Sequence, residues 1–268
     1  MKTGWQSKTA LVTGASSGIG AATARELARH GLNVVLVARR LARLQRLQAE
    51  IVATGGQAQV LEADLSRIDE RAKVHARVRA AYGSPDVLVN NAGLGWYGYY
   101  ADMPWETALE ILRINVEAVM HLTRLFLPDM RLRDAGHIVN VGSIAGSLPN
   151  QGIAIYGASK SFLDAFTSSL YREMHGTGVQ VSVVRVGPVE TEFYQQAVQR
   201  PAGLPVPAER FAIPAERVAS RIWELLQHPR KVIYVPRFLR LAPLLETFFG
   251  WLVDRLGPLL LRRQKLRP

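Results

Sequence analysis

The chain has 268 residues, enough for one domain with a large core, and 48% of them are apolar. It holds no cysteine, which excludes disulfides, thiolate nucleophiles, cysteine-bound zinc and iron–sulfur clusters. The formal net charge is +11, but +7 of it lies between Arg230 and Pro268, where nine Lys/Arg stand against two acids. The body before that tail is only mildly basic, so no nucleic-acid partner is expected.

No apolar run precedes a cleavage site within Met1–Lys8, so no signal peptide is expected, and a cytoplasmic location is. Thr9–Thr13 reads as a strand, followed by a glycine-rich turn and a helix to about His30 that Gly31 stops. Asn33–Ala38 is apolar almost throughout, as a parallel strand buried on both faces should be. A helix over about Leu41–Thr54 ends at Gly55-Gly56. Gln57–Glu62 is a third strand, with a helix near Ile68–Ala81 after it, and Asp86–Val89 is a fourth. A long helical region covers about Trp105–Arg133, and His137–Val141 is a fifth strand. A helix over about Tyr156–His175, a strand at Val179–Val184, a helix near Pro214–Gln227 and a strand at Lys231–Val235 complete the body. Strands alternating with helices predict an α/β fold: a doubly wound, parallel, seven-stranded sheet with helices on both faces. The expected organisation is one domain over 1–236 and a basic amphipathic extension over 237–268.

Between the first strand and first helix lies Thr13-Gly14-Ala15-Ser16-Ser17-Gly18-Ile19-Gly20. Glycines at these places let the backbone turn tightly and approach a pyrophosphate at the helix N-terminus. The plain alternative is a structural turn, but its position after the first strand favours dinucleotide binding. The second strand ends Ala38-Arg39-Arg40, without the acid that would bind a ribose 2′-hydroxyl. A guanidinium fork suits a 2′-phosphate, so NADP(H) is expected, against the simpler reading of two solvated arginines at a helix start. Asp64, followed by Leu65, is placed to accept from an adenine amino group or to cap the next helix, a role for which Ser66 competes.

Tyr156 and Lys160 are four residues apart, so they share a helix face, and a nearby ammonium is expected to lower the tyrosine's pKa. Ser143 follows the fifth strand, on the edge where open α/β sheets bind ligands. Each of these alone is commonplace: a surface pair, a turn serine, a solvated asparagine at Asn115. Together with Asn90-Asn91-Ala92-Gly93, Tyr156-Gly157-Ala158-Ser159-Lys160 and Gly187-Pro188-Val189-Glu190-Thr191, the ordered set resembles the short-chain dehydrogenase/reductase family, in its simple single-domain branch, over about residues 8–236.

The resemblance implies hydride transfer between a nicotinamide cofactor and a carbonyl/alcohol pair. It implies a catalytic tetrad of Asn115, Ser143, Tyr156 and Lys160, with Asn115 organising a water chain to Lys160. It also implies cofactor contacts from Asn91, Ala92, Gly93, Gly187, Val189 and Thr191, and a homodimer or homotetramer. Val186-Gly187 stands where the family usually has Pro-Gly, so the entry into that loop differs. A non-catalytic nucleotide sensor is the weaker reading, because a sensor has no need of the Tyr–Lys pair.

No His/Asp/Glu spacing suggests a metal, and none is expected. The aromatic run Leu94–Tyr100 reads as a wall for a small apolar substrate, or as rings packed against a neighbouring subunit or the lid. The segment from Glu190 to about Pro214 carries Pro201, Pro205 and Pro207 and reads as a lid. In the tail, Leu244, Leu245, Phe248, Phe249, Leu252, Val253 and Leu256 form one helical stripe. Charges and prolines argue against a membrane span. A helix lying on a membrane surface, a cap on the substrate site and packing on another subunit all fit. The first adds a narrower reading, a membrane-associated lipid, steroid or retinoid-type alcohol dehydrogenase.

Overall fold

The computed structural model describes residues 4–205 and 211–265. Pro207 of the expected lid therefore lies outside the described residues, as do the side chains of Leu245, Val253 and Leu256 of the tail stripe.

The strands are β1 (Thr9–Thr13), β2 (Asn33–Ala38), β3 (Gln57–Glu62), β4 (Val87–Asn90), β5 (Gly136–Ser143), β6 (Val179–Val186) and β7 (Val232–Val235). They pair in parallel in the order β3-β2-β1-β4-β5-β6-β7. The order reverses between β1 and β4, and such a switch point opens a crevice at the carboxyl ends of the strands. Successive side chains of a strand point to opposite faces. Ala10 and Val12 accordingly feed one core and Leu11 the other, and Val87 and Val89 divide from Leu88 in the same way. This is why β1 and β4 are buried along their whole length, with apolar residues filling all but their ends.

The helices are α1 (Gly18–Arg29), α2 (Leu41–Ala53), α3 (Ile68–Tyr82), α4 (Trp105–Leu112), α5 (Ala118–Leu132), α6 (Ala154–Glu173), α7 (Phe193–Gln199), α8 (Ala215–Gln227) and α9 (Ala242–Lys265). Residues of α1, α2 and α8 join the first core; those of α3, α4, α5 and α6 join the second. The long helix expected over Trp105–Arg133 is divided by a π turn at Arg113–Glu117, which holds Asn115. Its cause lies in the side chain: Asn115 Oδ1 accepts from Leu94 N at 2.8 Å and Nδ2 donates to Leu94 O at 3.0 Å, drawing the helix towards the β4 loop. The expected lid is not wholly irregular, since α7 lies within it.

Candidate active site

The turn after β1 is shaped by backbone crowding. Gly14 has φ +65°, and a Cβ there would lie 2.9 Å from Ala92 Cα. Gly18 has φ +54°, and a Cβ there would lie 2.7 Å from Thr191 Cγ2. Any other residue would carry left-handed strain as well as a clash. The turn is fastened to the end of β4. Thr13 Oγ1 accepts from Asn91 N at 2.9 Å and Ala92 N at 3.0 Å, while Asn91 Nδ2 donates to Thr13 O at 2.8 Å.

Above this turn lies a cavity of about 570 Å³, a size ordinary for cofactor and substrate sites. Gly14, Ser16, Ser17, Gly18 and Ile19 line it at the glycine turn. Arg39, Arg40 and Leu65 line it at the ends of β2 and β3. Asn91, Ala92 and Gly93 come from the end of β4, and Gly187, Val189 and Thr191 from the loop after β6. Ser143, Tyr156 and Lys160 line the same cavity.

Three of the expected residues do not line it. Gly20 packs α1 onto the turn, where a Cβ would meet Gly14 O at 2.4 Å. Asn115 is 1% exposed and sits behind Gly93. A Cβ on Gly93 would lie 3.5 Å from Asn115 Oδ1 and 3.6 Å from Lys160 Nζ, so these two polar groups flank one glycine. Asp64 turns to Ser66 instead, accepting from its N at 3.0 Å and its Oγ at 2.8 Å, a local Asx turn.

Ser143 closes β5, and its Oγ accepts from Ala145 N at 3.1 Å. Tyr156 stands in the first turn of α6 and is hydrogen-bonded to Ser143. Lys160 is 6% exposed. Its Nζ donates to Val141 O at 3.0 Å and lies 5.8 Å from the centre of the Tyr156 ring. Burial pushes the Lys160 ammonium down to about 8, with Asp164 pulling the other way. Burial also pushes the Tyr156 phenol up, opposed by the Ser143 hydrogen bond. This corrects the expectation that Lys160 lowers the tyrosine. Loss of hydration outweighs an ammonium that is aimed at a carbonyl rather than at the phenol.

The sequence pattern of the family described as short chain dehydrogenase matches residues 8–202. The chain belongs to this family. It is 39% identical over 189 residues to Short chain dehydrogenase MYCFIDRAFT_6125 of Pseudocercospora fijiensis, a match taking in 70% of this chain and 61% of that protein. It is 32% identical over 255 residues to the NADP-dependent 3-hydroxy acid dehydrogenase YdfG of Escherichia coli O6:H1, covering 91% of this chain and 98% of that one. The fold superposes with TM-score 0.75 on a metagenomic short-chain oxidoreductase in complex with NADP, at 34% identity, over 87% of this chain and 97% of that chain.

Several residues at or near this cavity are not evident from sequence reasoning. Arg185, in β6, lies behind Lys160 and donates from Nε to Asp164 Oδ1 at 3.0 Å; it also donates to the Tyr234 hydroxyl. The signal was present: an arginine inside an apolar strand has to be paired. Phe193 and Tyr194 of α7 line the cavity, with the Phe193 ring 5.4 Å from that of Tyr156. Of the aromatic run, Trp96 and Tyr97 line the cavity, while Tyr100 is exposed. Trp96 Nε1 donates to Pro201 O at 3.1 Å and Leu204 N donates to Tyr97 O at 2.8 Å, which ties this wall to the lid. Among the described residues no cluster of His, Asp and Glu could hold a metal ion.

Proposed function

We propose that the protein is an NADP(H)-dependent carbonyl reductase or alcohol dehydrogenase of an apolar substrate, with Tyr156 as the proton-transfer residue. The observation that carries this reading is the meeting of Ser143, Tyr156 and Lys160 in the cavity that also holds the glycine turn and two arginines.

The residues present fit the cofactor. Gly14 and Gly18 line the cavity at a turn where crowding by Ala92 and Thr191 admits only glycine, and Arg39 and Arg40 offer guanidiniums where an NAD-type site would carry an acid. The bound nicotinamide supplies or accepts the hydride. The chain's own residues manage the proton. The Tyr156 phenol is held protonated at neutral pH, the state needed to protonate an oxygen gaining negative charge. Ser143 holds the tyrosine hydroxyl and is placed to hydrogen-bond the reacting oxygen. The Lys160 ammonium adds positive potential beside the tyrosine as it gives up its proton. Asn115 holds the Leu94 backbone and Ser159, fixing the floor beneath Lys160. Trp96, Tyr97, Leu148, Ile153, Phe193 and Tyr194 give the reaction end its apolar wall, which favours a substrate with little charge.

Tyr156→Phe keeps the ring and removes the transferable proton. Reduction of a panel of aldehydes and ketones by NADPH should fall about 10²- to 10⁴-fold, with NADPH binding unchanged by calorimetry. Undiminished turnover in this variant would refute the assignment.

A second reading concerns where the enzyme works, and α9 supports it. Leu244, Phe248, Phe249, Trp251 and Leu252 are all exposed along this helix, and Phe238 and Leu241 are exposed just before it. Arg237, Arg240 and Arg255 lie in the same stretch. No described helix is long and apolar enough to cross a membrane. An apolar face with cations and a tryptophan fits an anionic lipid surface. The full chain should float with vesicles containing anionic lipid, and a chain ending at Pro236 should not. Equal flotation of both would overturn the reading.

A further inference from the structure

The cofactor end and the lid share one carboxylate. Glu192 immediately precedes α7. Its Oε2 accepts from Arg40 Nη1 at 2.7 Å and from Arg43 Nη1 at 2.6 Å. The two arginines hold the Glu192 carboxyl below the usual carboxylate range, so it is charged at neutral pH. On its other side, Arg40 donates from Nε to Ser16 Oγ at 3.1 Å. From Nη2 it donates to Ser16 Oγ at 2.9 Å and Ser17 Oγ at 2.6 Å. Most of Arg40's five donors are thus engaged before any nucleotide arrives.

Ser16, Ser17, Arg39 and Arg40 line the cavity; Glu192 and Arg43 do not. Glu192 therefore holds Arg40 from outside the pocket. A phosphate monoester carries close to two negative charges at neutral pH. Reaching Arg40, it meets a guanidinium already shared with a carboxylate. Thr191 touches Gly18 of the turn, Glu192 touches Arg40, and Phe193 packs on Tyr156. Three consecutive residues thus join the adenosine end to the reaction end.

Resting on the NADP(H) reading, we propose that Glu192 is a cofactor-specificity residue, an internal anion that competes with the 2′-phosphate for Arg40. The phosphate detaches Glu192, and this loosens the start of α7 beside Tyr156. NAD(H) has no phosphate to do so. Competition and simple repulsion act in the same direction, and the site is partly exposed, so the effect is modest.

The test is binding by calorimetry of 2′,5′-ADP, 5′-AMP, NADPH and NADH to wild type and Glu192→Gln. Glutamine keeps the length and hydrogen-bonding reach at a partly exposed position. The variant should bind 2′,5′-ADP and NADPH about fivefold tighter, with 5′-AMP and NADH unchanged. In the wild type, 2′,5′-ADP should speed amide hydrogen exchange over 193–199, and 5′-AMP should not. Weaker or unchanged 2′,5′-ADP binding in Glu192→Gln would overturn the proposal, as would equal exchange with both nucleotides. If wild type binds 2′,5′-ADP no better than 5′-AMP, the NADP(H) reading itself fails, a result distinct from a wild-type preference that Glu192→Gln leaves untouched.

Discussion

At the scale of single residues, Lys160 carries a large electrostatic tension. It is a buried cation whose pKa falls to about 8 from an ordinary 10.5. Between those values the unfolded chain binds a proton that the folded chain does not. The fold therefore gains stability as pH rises through that window, and below it the ammonium costs stability in full. Lys160→Met should be more stable than wild type at pH 7, by about 1–3 kcal/mol, with the advantage shrinking above pH 8. Urea titrations at several pH values would show this, and a variant less stable at pH 7 would contradict it. The same value bears on the proposed activity. kcat/KM for reduction should decline as pH rises through about 8, because the lysine loses the charge proposed to assist Tyr156. The Tyr–Lys spacing is plain in the sequence. The rise in the Tyr156 pKa is not, because it depends on burial that other elements impose.

At the scale of elements, the junction of β1 and α1 depends on how close backbones come. Gly20 lets α1 press on the preceding turn, and a Cβ there would lie 2.4 Å from Gly14 O and 2.5 Å from Asn91 Nδ2. The first neighbour is backbone and cannot turn away. Gly20→Ala should cost about 1–3 kcal/mol, read as a lower Tm, and should weaken NADPH binding because the whole turn shifts. An unchanged Tm and unchanged affinity would show that the turn relaxes freely. The strands and most helices are legible in the sequence, because apolar runs bounded by glycine mark buried parallel strands. The break in the helix at Arg113–Glu117 is not, since it follows from Asn115 reaching Leu94, a residue 21 positions away. The short helix α7 is hidden by the prolines that follow it.

At the scale of the whole molecule, charge and apolar surface are divided between the body and its tail. The body places its apolar side chains in two cores, one on each face of the sheet. Helix α9 leaves Leu244, Phe248, Phe249, Trp251 and Leu252 exposed in a stretch that also carries Arg240 and Arg255. If that surface meets anionic lipid, flotation should weaken sharply between 0.1 and 0.5 M salt as the electrostatic part is screened, leaving a residual apolar part. Binding indifferent to salt would mean that the arginines take no part.

The sequence by itself determined the parallel α/β fold, the glycine turn and many of the residues that gather in the cavity, though not Phe193 and Tyr194. The fold and the turn rest on local periodicity and turn chemistry, and most of the site residues on the ordered set of motifs that resembles the family, all of which a chain displays before it folds. Only the tertiary structure decided that Asp64 turns to Ser66 rather than into the cavity, that Arg185 pairs with Asp164 behind Lys160, and that burial raises Tyr156. It also decided that Glu192 reaches Arg40, 152 residues away. Such contacts depend on which elements the sheet brings side by side and on how much water their packing removes, and neither quantity is written in any one segment of the chain.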